Sequence, residues 1–169
     1  MYKKFLFTLI LSASLFIGLD AQRVAVVDIN KVLETMTDYQ KAQKTLDDQS
    51  ALWRQEVNTE MDKVKSMYNK YQADLPMLND EMKKKREDEI TAQEQAVRDL
   101  QKRRFGTEGD LFKQREELIK PIQDKVYNAI DNYAAERGYD LILDKSSSSG
   151  ILFVNANIDK TDDILKKIK

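Results

Sequence analysis

The stretch YDLILDKSSSSGILFVNAN, residues 139–157, decides the fold. It reads as two short strands around a serine run, after roughly a hundred residues of helical pattern. A pair of strands is marginal in water without a third partner and a covered face. The partner lies near the other end of the chain. RVAVVDIN, residues 23–30, carries the β-branched Val24, Val26, Val27 and Ile29 and reads as a strand. The most economical topology sets it beside the two C-terminal strands, so that residues 31–138 form one long excursion from a small sheet. Three short strands still leave edges and an open apolar face, which copies of the same sheet can close in an oligomer.

Composition supports an extended molecule. Of 169 residues, 34% are Asp, Glu, Lys or Arg, and only 5 Gly and 2 Pro punctuate the chain. High charge with few breakers points to long amphipathic helices rather than a globule with a large private core. The 28 basic and 29 acidic residues nearly cancel, so no nucleic-acid groove or polybasic membrane patch is indicated. Partners are to be sought by shape and apolar surface. Contact with a membrane is allowed by this reading but not required.

Residues 1–21, MYKKFLFTLILSASLFIGLDA, place Lys3 and Lys4 before an apolar run from Phe5 to Leu19 and a small residue at Ala21. This is the pattern of a cleaved secretory signal, and the run is shorter than the roughly 20 residues a spanning helix needs. With no Cys, the chain can form neither a disulfide nor a thiolate metal site. Removing Lys3, Lys4 and Asp20 leaves 26 basic and 28 acidic residues, so the exported protein stays nearly neutral.

Within the excursion, Leu46, Trp53, Val57, Met61, Val64, Tyr68, Tyr71 and Leu75 recur at sevens, fours and threes, the spacing of a coiled-coil seam. A helix running unbroken from residue 31 to 74 would reach about 65 Å. Pro76 ends it, and Asn79 or Asp80 can cap a new helix, so residues 75–79 read as the tip of a hairpin. The return limb carries Leu78, Met82, Ile90, Val97, Leu100, Phe105, Phe112, Ile119, Ile122, Val126, Ile130 and Tyr133. Arg86, Gln93 and Arg104 fall where seam residues belong and leave gaps, which suggests splayed, flexible arms. Acid-first pairs such as Asp80 with Lys84 and Glu94 with Arg98 describe a solvated face, as does the Lys83 to Asp88 charge cluster. Gly106, Gly109 and Pro121 are candidate hinges between arm and base.

Catalysis has little support. His and Cys are absent, so the common metal ligands and nucleophile partners are missing, and no phosphate-binding glycine loop is present. KSSSSG, residues 145–150, reads as a polar turn rather than a Ser-Lys hydrolase site. Asp28 and Asp144, at strand ends, read as turn or capping groups rather than paired acids.

The blocks RVAVVDINKVLE, LIKPIQDKVYNAIDNYAAERGYDLILDKS and ANIDKTDDILKKI together resemble the Skp/OmpH family of periplasmic chaperones for outer-membrane proteins. The resemblance covers essentially all the chain after the signal. It implies an α+β, mostly α fold: a small body from the N- and C-terminal strands, closed as a β-barrel in a homotrimer, with a long coiled-coil hairpin arm per protomer. The expected units are the signal (1–21), the N-terminal strand (22–30), the arm and its base (31–138), and the C-terminal strands and helix (139–169). Val24, Val26, Leu141 and Leu143 fall to the trimer body. The implied function is an ATP-independent periplasmic holdase that keeps unfolded outer-membrane β-barrel proteins in a cavity between arms, with no cofactor and no metal. Met61, Val64, Tyr68, Tyr71, Met77, Leu78 and Met82 are the candidate client contacts, because Met and Tyr adapt to varied apolar partners. Some of them, Met61, Val64 and Tyr68 first, could instead hold the two limbs together. A sequence pI near 5.7 departs from the basic arms of the best-known family member, so lipopolysaccharide binding is not carried over. Lys160 departs from the family's pattern before the last helix, where Thr161 offers a cap. The alternative function is an exported coiled-coil protein that spaces or tethers envelope components. An exported hydrolase would need a site the sequence does not display.

Overall fold

The computed structural model describes residues 22–147 and 150–168, so the expected signal, residues 1–21, lies outside the described residues. Strand β1 (Val24–Val27) leads into α1 (Ile29–Thr35), and α2 (Thr37–Asp74) runs outward to a single 3-10 turn (Leu75–Met77). Helices α3 (Asp80–Phe105) and α4 (Asp110–Arg137) return the chain to β2 (Leu141–Asp144), and α5 (Thr161–Ile168) follows.

β1 and β2 pair in parallel, Val24 opposite Leu141 and Val26 opposite Leu143, with the whole helical excursion as their connection. The first strand is shorter than the expected 22–30. Asp28 is extended and its carboxylate accepts the Lys31 N–H, which starts α1 and makes Ile29 and Asn30 helical. The second C-terminal strand is not formed, because residues 151–155 carry no strand. The free edge of β1 is taken instead by residues 158–160. The Val26 N–H donates to the Ile158 carbonyl and the Lys160 N–H to the Val26 carbonyl, both at 2.8 Å.

Alternation along the strands sends Ala25, Val27 and Ile142 to one face and Val24, Val26, Leu141 and Leu143 to the other. The first face joins the body core of Val27, Val32, Leu33, Val126, Ile130, Tyr133 and Ile164. Two smaller clusters continue the core along the arm. Ala42 and Leu46 meet Ile119 between α2 and α4; Val57 meets Val97 and Leu100 between α2 and α3. Burial is strung out in a line, as the long apolar seam required.

The outgoing helix is shorter than expected. Met36 is extended (φ −79, ψ 124) and packs against the body core, which separates α1 from α2. The 38 residues of α2 then span about 57 Å. The chain reverses between the turn at Leu75–Met77 and the start of α3, with the Asn79 side chain accepting the Met82 N–H at 2.9 Å. The return limb breaks at Gly106 to Gly109, where a Cβ on Gly106 would stand 2.4 Å from the Lys102 carbonyl oxygen. Pro121, by contrast, lies inside α4, where it removes one backbone donor without ending the helix. Gly138, in the left-handed region (φ 64), ends α4 and turns the chain into β2.

Candidate functional site

The arm places its polar seam residues in contact rather than in gaps. Gln93 Nε2 donates to Glu60 at 2.9 Å across the hairpin, and the Arg104 guanidinium donates to both oxygens of Glu56 at 3.0 and 3.2 Å. Nearer the tip the Tyr71 hydroxyl donates to Glu87, and this bond raises the phenol's pKa. Arg86 stays on the surface and pairs with Glu89 of its own helix. The expectation of a splayed arm therefore fails at two of its three positions. Spacing within one limb cannot reveal an acidic partner that sits on the other. Of the surface pairs, Glu94 and Arg98 meet as expected, whereas Asp80 reaches Lys83 in place of Lys84.

The candidate contact residues divide into two sets. Val64 packs against the Val57, Val97 and Leu100 cluster, while Tyr71 and Leu78 are half-buried. Met61, Tyr68, Met77 and Met82 are exposed, Met77 most of all at 80%. Met61 and Tyr68, seven residues apart, share one rim of the buried stripe that Val57 and Val64 define. These four apolar side chains are left over after the seam has been satisfied. Phe112, counted in the seam from its spacing, is 45% exposed because the break at Gly106 to Gly109 precedes it. Leu52, off the seam by a full position, is also exposed.

On the body, Leu141 and Leu143 are exposed, Val24 is half-buried and Val26, whose backbone pairs with Ile158 and Lys160, is buried. Leu152 and Phe153 stand bare, at 98% and 83% exposure. They escaped the list of candidate residues. The signal was the run Ile151 to Val154, apolar on both faces, of which one chain half-buries Ile151 and Val154 and leaves the middle pair bare.

A polar cluster locks the end of the sheet. Asp28 Oδ1 caps α1, the Asp28 N–H donates to Thr161 Oγ1 at 2.9 Å, and Thr161 Oγ1 donates to Asp159 at 2.6 Å. Thr161 is thus a tie between β1 and the last turn before α5, not the helix cap it was read as. Lys145 donates to Asp159 at 2.7 Å and stands 3.9 Å from Asp28. Burial alone would raise the Asp159 carboxyl, but Lys145 and Thr161 outweigh it and hold the group at about 2. Asp144 is a turn group as expected: it accepts from the Ser146 N–H and hydroxyl and from the Ile29 N–H. Burial opposes its ionisation too, and the Ser146 bonds lower its pKa against that penalty. Elsewhere in the body, burial and then the bond to Asp163 push Tyr133 up to about 12.

Among the described residues, no group of three or more acidic side chains could hold a metal ion, and no helix is long and apolar enough to cross a membrane.

Comparison with known proteins agrees with this architecture. No curated sequence matches the chain. The crystal structure of an OmpH-like outer membrane chaperone from Caulobacter crescentus CB15 is similar with a TM-score of 0.67 at 10% identity, over 89% of this chain and 86% of that one. At that identity the likeness shows the fold. The family model described as outer membrane protein (OmpH-like) matches residues 23–168. A hairpin of long helices rooted in a small parallel sheet, matched from end to end by that family model, places this chain in the OmpH-like family.

Proposed function

We propose that this protein is an ATP-independent holdase, exported to the periplasm by a cleaved signal peptide, residues 1–21, that binds unfolded outer-membrane β-barrel proteins between its arms as a homotrimer. The observation that carries the reading is the exposed set of Met61, Tyr68, Met77 and Met82 on an arm whose seam is already closed by other residues. An unfolded β-barrel precursor presents alternating apolar side chains and unpaired edges, which drive aggregation. Flexible Met and amphipathic Tyr side chains meet such a client through many weak contacts, and the mixed charges around them keep it hydrated and free to leave. Val64 and Tyr71 serve the arm itself, and Leu78 supports the tip. In the trimer, Val24, Leu141, Leu143, Leu152 and Phe153 would be covered by neighbouring protomers, completing the barrel that one chain leaves open.

The second reading, an exported spacer or tether, draws on the bridges Glu60 to Gln93 and Glu56 to Arg104, which stiffen the arm as a rod requires. A rod has no use for four bare apolar side chains along one rim and its tip. The two readings part in a refolding assay. A urea-unfolded outer-membrane β-barrel is diluted with and without the mature protein while light scattering is followed. The holdase suppresses scattering, and replacing Met61, Tyr68, Met77 and Met82 together with Ser abolishes the effect without changing the melting temperature. A well-formed trimer that leaves scattering unchanged would favour the tether.

A further inference from the structure

The hairpin is broken on one side only. Its outgoing limb, α2, is continuous from residue 37 to 74, whereas the return limb is interrupted between α3 and α4 at residues 106–109. Apolar packing follows the same division. Phe105 belongs to the outer cluster of Val57, Val97 and Leu100, and Leu111 belongs to the inner cluster of Ala42, Leu46 and Ile119. Between them the chain supplies glycines, which have no side chain to bridge the gap and no room for one, since a Cβ on Gly109 would lie 2.8 Å from the Arg103 carbonyl oxygen.

One side chain spans this joint. Arg104, in the last turn of α3, donates through Nε and Nη2 to Glu56 on α2, and through Nη1 to Asp110 on α4 at 2.6 Å. Its guanidinium also lies 5.0 Å from the centre of the Trp53 ring on α2. All three helices that meet at the break are therefore joined through a single planar cation, on bidentate and charge-assisted bonds. A quarter of the Arg104 side chain remains open to water, so the bonds are within reach of screening by salt.

We propose that Arg104 is a clasp that sets the bend of the arm, with α2 as the continuous strip that flexes and the Gly106 to Gly109 break as the gap that opens. With the clasp closed, the outer hairpin and the base move as one piece. With it released, the outer hairpin swings as a unit about residues 47–56 of α2, between Leu46 of the inner cluster and Val57 of the outer one, because the outer cluster and the Glu60 to Gln93 bond lie beyond the joint and stay intact. The clasp belongs to the single protomer. Its use, adjusting the space between arms to clients of different size, rests on the holdase reading.

The test needs no client. The chain has no Cys, so nitroxide labels can be placed cleanly at Gln72→Cys near the tip and Asp131→Cys at the base, both exposed. Labelled mature chain is diluted into unlabelled chain, and the intramolecular distance distribution is measured by pulsed electron spin resonance. At low salt the wild type gives a narrow distribution, and Arg104→Gln broadens it about twofold, with Glu56→Gln moving in the same direction. Salt at about 1 M broadens the wild type towards Arg104→Gln and leaves that variant unchanged. Arg98→Gln, which loses contacts to Glu94 and Gln95 of α3 itself, keeps the wild-type width. If both Arg104→Gln and Glu56→Gln retain the wild-type width, or if salt acts equally on all, the clasp is refuted. Should Arg104→Gln lose its helical circular dichroism, Glu56→Gln decides. A clasp that behaves as expected in a protein that holds no client would leave this inference standing and overturn the holdase.

Discussion

Replacing Asp159 with Asn tests the polar lock that fastens the C-terminal segment to β1. The carboxylate binds the Lys145 ammonium at 2.7 Å and the Thr161 hydroxyl and N–H at 2.6 and 3.0 Å. Together these hold it at about 2, below the ordinary carboxyl value of 3.8. Each decade between folded and unfolded values corresponds to about 1.4 kcal/mol, so full linkage would give roughly 2.5 kcal/mol. A quarter of the side chain is open to solvent, which reduces the expected contribution to about 1–2 kcal/mol. The sign follows from a lowered folded value: the stabilisation is fully present above pH 4 and is lost as pH falls through about 2. Urea unfolding of wild type and Asp159→Asn, followed by circular dichroism at one fixed protomer concentration, gives the comparison. The variant should be weaker by that amount at pH 7, and the two should converge as pH approaches 2. A gap that stays constant with pH, or no gap at pH 7, would refute the reasoning.

Other outcomes follow from the same contacts. Leu46→Ala removes a side chain only 2% exposed between α2 and α4 and should cost about 2–4 kcal/mol in urea unfolding. Leu52→Ala, on the exposed side of the same helix, should stay within about 0.5 kcal/mol. Exchanging Leu152 and Phe153 together for Ser should weaken self-association in sedimentation equilibrium while helical circular dichroism is retained. Tyr133 should ionise well above the ordinary phenol value of 10.0; stability tied to its neutral form is complete below about pH 10 and is lost as pH rises through about 12. Spectroscopic titration with Tyr133→Phe as reference should show a phenolate step near pH 12 disappear.

Much of the fold was legible because its signals are local and repeated. The valines of β1, the long three-and-four pattern, Pro76 with Asn79 at the tip, and the glycines at 106 and 109 each act on their own neighbourhood. The errors arose where one residue type serves two structures. Ile29 extends a β-branched run, yet Asp28 before it caps a helix, and the cap prevails. Ile151 to Val154 has strand composition, but residues 158–160 already occupy the β1 edge within the chain. Arg104 and Gln93 looked like gaps because Glu56 and Glu60, their partners, lie 48 and 33 residues away. Met61 and Val64 were legible as one stripe, but periodicity does not separate a seam from its rim when the partner helix covers only part of the stripe.

On the holdase reading, clients rest on the rim and tip left exposed by the arm. Site-specific photocrosslinkers at Met61 and Met77, with others at Thr59 on the far side of α2 and at Lys120 near the base, test it most directly during capture of an unfolded outer-membrane β-barrel. The holdase account predicts strong client crosslinks from Met61 and Met77 and weak ones from Thr59 and Lys120. Equal yields from all four positions, or client crosslinks confined to the base, would contradict it.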